Sequence, residues 1–94
     1  MLRRYRIFLT QGFIDDIEKI SGSGFPKIDK KLRNYVYPQL GDQPYFGRNI
    51  KKIKSWEPET WRYRVGSWRL FYQIDDKEKI VFMMVAEHRS EAYH

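Results

Sequence analysis

Apolar and polar positions alternate most regularly between Trp61 and Ile74. Trp61, Tyr63 and Val65 are separated by Arg62 and Arg64, the two-residue period of a half-buried strand, and Trp68 to Ile74 supplies a second arm. Gly66-Ser67 between the arms suits a two-residue turn of type II′, because glycine at the first central position accepts positive φ. The turn predicts Val65 opposite Trp68, Tyr63 opposite Leu70 and Trp61 opposite Tyr72 on one apolar face. Arg64 then lies opposite Arg69, and Arg62 opposite Phe71, on the other.

The flanking segments are shorter and less regular. Arg4 to Leu9 alternates as a first strand, with Tyr5, Ile7 and Leu9 on its apolar side, and Thr10 is a suitable N-cap for a helix after it. Phe13, Ile14, Ile17 and Ile20 recur at helical spacing, and Ser21-Gly22-Ser23-Gly24 stops that helix. A second helix opens near Pro26 with Ile28, Leu32, Tyr35 and Val36 as its buried stripe, and Pro38 is predicted to kink or end it.

Asn49 to Trp56 has mixed parity and predicts a short, twisted strand. Glu57-Pro58-Glu59 then turns the chain into the hairpin. Asp75 to Glu78 reads as another turn, and Lys79 to Arg89 as the last strand. Both phases of Ile80 to Ala86 are apolar, which predicts a central strand covered on both sides. A tight turn before it puts Phe71 beside Phe82 and Arg69 beside Met84. His88, which shares the parity of Met84, is then expected on the arginine face. The fold class is α+β: one domain over residues 1–94, a small, largely antiparallel sheet with an N-terminal strand and a helical hairpin packed on one face.

Composition narrows the function. A chain of 94 residues can bury about 60–65% of its unfolded surface in one core. Cysteine is absent, so disulfide and thiolate chemistry are excluded. Arg3, Arg4 and Arg6 precede no secretion-signal pattern, and the longest apolar run, Ile80 to Ala86, is too short to span a bilayer. A cytoplasmic protein without a membrane partner is expected. The net charge of +6 favours an acidic partner. Arg48, Lys51, Lys52, Lys54, Arg62, Arg64 and Arg69 stand against only Glu57 and Glu59 in one segment, which therefore holds most of the excess.

Like charges directly across a ladder cost about 0.2–1 kcal/mol, so three arginines on one face of the hairpin suggest an anion that offsets their repulsion. The same pattern also fits a solvated face with its charges splayed into water. His88 and His94 are the only histidines and no carboxylate cluster has ligand spacing, so neither a metal site nor a cofactor is implied. Metal-free RNA cleavage fits the residues present. Attack of a 2′-OH on the adjacent phosphate needs a base, cations for the developing charge, and an acid for the leaving 5′-oxygen. Arginine suits the second task, His88 can exchange protons near neutral pH, and Tyr93 can donate a proton or stack on a base. A lone histidine near a strand end fits a structural role as well.

Four blocks together resemble the RelE/ParE toxin superfamily: Ile50 to Lys54, Trp61 to Gly66, Trp68 to Tyr72, and His88-Arg89-Ser90-Glu91-Ala92-Tyr93. With the strand and helical hairpin before them, the resemblance covers nearly the whole chain. It implies the toxin of a type II toxin–antitoxin pair, neutralised by a small acidic antitoxin and meeting operator DNA only through it. For the RelE branch it implies a ribosome-dependent mRNA endonuclease that cuts the A-site codon and inhibits translation; the alternatives are a ParE-like gyrase inhibitor and a noncatalytic RNA- or antitoxin-binding module. By position, the resemblance implies catalytic roles for Arg62, Arg64, Arg69, His88, Arg89 and Tyr93. Arg48, Lys51, Lys52, Lys54 and Phe71 are then the expected contacts to RNA or ribosome. RelE has lysine where Arg62 stands, and the glutamate of YoeB-like relatives falls near Arg48, which moves the expected base to His88.

Overall fold

The computed structural model of the chain describes residues 4–21 and 26–89. Its strands are β1 (Arg6–Leu9), β2 (Ile50–Ile53), β3 (Thr60–Val65), β4 (Trp68–Asp75) and β5 (Ile80–His88). They form one open sheet in the order β1-β5-β4-β3-β2, with β1 parallel to β5 and the other pairs antiparallel. The α+β architecture expected from the sequence is therefore present, with a single parallel pair at one edge.

The hairpin follows its sequence pattern residue for residue. Val65 pairs with Trp68, Tyr63 with Leu70 and Trp61 with Tyr72. Gly66 takes φ +58°, the left-handed value the turn requires of its first central residue. Tyr63, Trp68, Leu70 and Tyr72 face the helices and are buried. Full burial of a side chain such as Leu70 contributes about 1.5–3 kcal/mol. Tyr72 also donates its hydroxyl to the Pro44 carbonyl at 2.7 Å, which satisfies both groups in the interior.

The helical layer comprises α1 (Gln11–Ser21), α2 (Pro26–Lys31), a π-helical turn (Leu32–Val36) and α3 (Tyr37–Asp42). The expected turn through Gly22-Ser23-Gly24 lies outside the described residues. Pro38 does not end the helix. It sits in the first turn of α3, where a missing N–H is harmless, and the Tyr37 N–H reaches back five residues to the Leu32 carbonyl. That wider turn changes the buried stripe. Ile28, Leu32, Val36 and Leu40 are buried, whereas Tyr35, expected inside, is 67% exposed.

The last strand also departs from expectation. β5 is an interior strand, between β1 and β4, but the helices cover only one of its faces. Val81, Met83 and Ala86 are buried there, while Val85 on the other side is exposed. Between Tyr72↔Met83 and Phe71↔Val85 the pairing skips Met84, a β-bulge that reverses side-chain parity beyond it. Two residues of the α1 region hold this stretch. Thr10 donates its hydroxyl to the Met83 carbonyl at 2.7 Å, and Asp16 accepts the Ala86 N–H at 3.0 Å. β1 ends at Leu9, opposite Met83, so the carboxylate of Asp16 takes over where strand pairing stops.

Candidate functional site

The open face of the sheet carries two rows of side chains. In one, Arg64 of β3 pairs with Arg69 of β4, which pairs in turn with Glu87 of β5. In the next, Lys51, Arg62, Phe71 and Val85 run across β2 to β5. Arg89 follows β5 on the parity of Glu87, and its N–H donates to the Ser67 carbonyl at 2.7 Å. Arg64, Arg69 and Arg89 thereby line one cleft of about 230 Å³ with Gly66, Ser67 and Trp68.

Three arginines around one cleft make a cationic receptor, with most of its donors unused among the described residues. Among the described residues Glu87 is the carboxylate in contact with the group, its Oε1 lying 3.2 Å from Arg69 Nη2. Arg62, two residues before Arg64 on the same face of β3, is half-buried and stands outside the cleft's lining. Burial pushes its guanidinium pKa down, and the charges of Arg64 and Arg69 push it further in the same direction. Its Nε is buried without an acceptor among the described residues. Unpaired buried donors cost about 1–3 kcal/mol, more when charged, and an anion held in the cleft would offset the mutual repulsion of Arg62, Arg64 and Arg69.

Other expected contacts are distributed differently. Lys51 shares the arginine face through its pairing with Arg62. Lys52 has the opposite parity, pairs with Trp61, and is engaged by Glu59 at 3.3 Å. Lys54 and Arg48 are exposed on either side of β2, outside the cleft. Phe71 is on the expected face but is only 8% exposed, because Trp56 lies flat over it with ring centroids 5.4 Å apart and planes at 17°. The aromatic surface offered to a ligand is Trp56. Ser55, at φ +68°, turns the chain so that this indole folds back over the sheet.

His88 is not on the arginine face. The bulge at Met84 places it opposite Trp68 on the helix side, where its ring meets the Trp68 ring edge-on with centroids 5.2 Å apart. It lines a separate cleft with Ile28, Lys31, Val65 and the Gly66-Ser67 turn. Tyr93 lies outside the described residues. Glu87 and Trp56 were not singled out from the sequence. The signal for Glu87 was its position two residues before Arg89, readable only once parity after Met84 was known.

A model of the family described as "ParE toxin of type II toxin–antitoxin system, parDE" matches residues 7–93. The chain belongs to this ParE toxin family. No curated protein matches it. Among solved structures, it is similar to the toxin–antitoxin complex RelBE2 from Mycobacterium tuberculosis, with 25% identity, a TM-score of 0.74, and coverage of 96% of this chain and 97% of that one. The archaeal RelE–RelB complex from Pyrococcus horikoshii aligns with 17% identity over 92% of this chain and 96% of that one, at a TM-score of 0.70. A mutant of E. coli toxin RelE in the free state aligns with 21% identity over 95% and 86%, at a TM-score of 0.63. The resemblance to the RelE/ParE superfamily read from the sequence therefore extends to the fold. Within this ParE-family toxin, the arginine cleft sits at the turn end of the sheet, on the face the helices leave open.

Proposed function

We propose that this toxin is a ribosome-dependent mRNA endonuclease that cuts A-site codons by 2′-OH attack and so inhibits translation. The observation that carries the reading is the cleft lined by Arg64, Arg69 and Arg89, with Arg62 next to Arg64 along the same face of β3. Arginine binds phosphate with a planar fork and stays charged, so the cluster suits a phosphate that gains negative charge as the 2′-oxygen attacks. Donors aimed at developing charge are worth about 10²–10³ each in rate. Trp56 adds an open indole face beside the cleft, on which a nucleobase can stack. Tyr93 remains the candidate donor to the leaving oxygen. The partner expected in the resting state is a small acidic antitoxin, whose charge complements the +6 of this chain; operator DNA is reached only through it. Structures named as toxin–antitoxin complexes among the similar proteins support that pairing.

Single-turnover cleavage of mRNA on programmed ribosomes with an open A site tests the reading. The expected result is a cut within the A-site codon that leaves a 5′-OH end. A second reading draws on the matched family, whose description names ParE: a gyrase inhibitor that uses the same basic face on a protein target. Intact mRNA together with loss of gyrase supercoiling would move the assignment there.

A further inference from the structure

We infer that Glu87 is the general base of this site, the group that removes the proton from the attacking 2′-OH. The inference rests on the nuclease reading and names the proton acceptor that reading leaves open. Arginines can hold the phosphate but are poor bases, and His88 faces the helices. Among the described residues that share the face around Arg69, the neighbours are Arg62, Arg64, Phe71, Gln73, Val85, Glu87 and Arg89. Only Glu87 can accept a proton. Asp75 has the same parity, but it sits at the far end of β4, opposite Ile80.

The geometry suits the task. Glu87 occupies the third place in the row Arg64–Arg69–Glu87, so phosphate contacts and base come from three adjacent strands. Neighbouring strands are about 4.8 Å apart, which fixes the spacing of the row without reliance on a loop. Arg69 presents several N–H donors in one plane. Its Nη2 is 3.2 Å from Glu87 Oε1, leaving the rest of the fork for a phosphate oxygen. The carboxylate therefore stands beside the place where Arg69 would hold a phosphate, on the side from which an adjacent 2′-OH can be met. Side-chain exposures of 38% for Arg69 and 44% for Glu87 leave both open to a substrate.

The step balances without a co-reactant. Glu87 takes the 2′-OH proton, the 2′-oxygen–phosphorus bond forms, and the phosphorus–5′-oxygen bond breaks. The 5′-oxygen takes up a proton from a donor or solvent, and Glu87 returns its own to solvent. The products are a 2′,3′-cyclic phosphate and a 5′-OH.

Glu87→Gln keeps the size of the side chain and an acceptor for Arg69, so the fold should persist, checked by an unchanged thermal midpoint. On programmed ribosomes the variant should cut about 10²–10⁴-fold more slowly than wild type. It should bind ribosomes carrying a 2′-deoxy A-site nucleotide as tightly as wild type. A substrate with sulfur in place of the leaving 5′-oxygen, which needs no acid, should leave the defect in place. Cutting by Glu87→Gln at the wild-type rate overturns the inference. Rescue by the sulfur substrate also overturns it, since the role would then lie with the leaving group. Failure of the wild type to cut any ribosome-bound mRNA sinks the nuclease reading itself, and is distinguishable because it appears before any substitution is made.

Discussion

Trp68 and His88 face each other across β4 and β5, their rings edge-on at 79° with centroids 5.2 Å apart. Aromatic pairs of this kind are worth about 0.5–1.5 kcal/mol beyond their buried area. His88→Ala should therefore destabilise the protein by about that much in urea unfolding. His88→Phe should restore most of the loss and still cut mRNA at close to the wild-type rate. A folded His88→Phe variant without activity would return the histidine to the reaction.

Arg64 stands directly opposite Arg69, and both crowd Arg62. Arg64→Gln should raise stability by about 0.2–1 kcal/mol at low salt. The gain should shrink as salt rises, because the charges it relieves are partly exposed and screened. The same change should slow mRNA cleavage by about 10²–10³. Denaturation curves at two ionic strengths, run beside the ribosome assay, read both effects. A variant that loses stability and keeps its rate would mean that the cluster is not held against repulsion for phosphate.

Tyr72 ties the sheet to the loop after α3 through its bond to the Pro44 carbonyl. Burial pushes its phenol pKa up, first of all causes, with Tyr63 adding to the shift. Tyr72→Phe leaves a buried carbonyl without its donor and should cost about 1–3 kcal/mol. Because the phenol pKa is raised on folding, its contribution is present below the ordinary tyrosine range near 10 and fades as pH rises through the folded value. Wild type should thus lose stability in strong alkali more steeply than Tyr72→Phe, as equilibrium unfolding against pH would record.

Asp76 gathers the β4–β5 turn to the start of β1 and to the loop after α3. Tyr5 donates to it at 2.5 Å, Tyr45 at 3.1 Å and Lys79 at 3.3 Å. The Tyr5 hydrogen bond, followed by those from Lys79 and Tyr45, holds the Asp76 carboxyl below the usual range. A lowered folded pKa means the stabilisation is present above the unfolded value of about 3.9 and is lost as pH falls through the folded one. Asp76→Asn should lower Tm at neutral pH, with the gap from wild type closing in acid. A gap that stays constant from neutral pH into acid would rule out an ionic clasp.

The hairpin was legible because strict alternation and one glycine leave a single register that turns Trp61, Tyr63 and Val65 to the same, helix-covered side. Parity in β5 was not. With both phases of Ile80 to Ala86 apolar, nothing local marks Met84 as the extra residue. The groups that hold the bulge, Thr10 and Asp16, lie some seventy positions away. Tyr35 was misplaced for a related reason: a proline signal does not say whether a helix stops or widens into a π turn. Trp56 covers Phe71 only because Ser55 adopts a left-handed backbone, which its residue type does not announce.

The bulge at Met84 acts on the sheet much as a frameshift acts on a message. Every residue downstream is read from the opposite side, so His88 and Glu87 exchange faces although neither has changed. Column-by-column transfer of roles among relatives is valid only where they carry the same extra residue. Two chains that agree at every position around Arg89 could still present different groups to the same substrate if one of them lacks it.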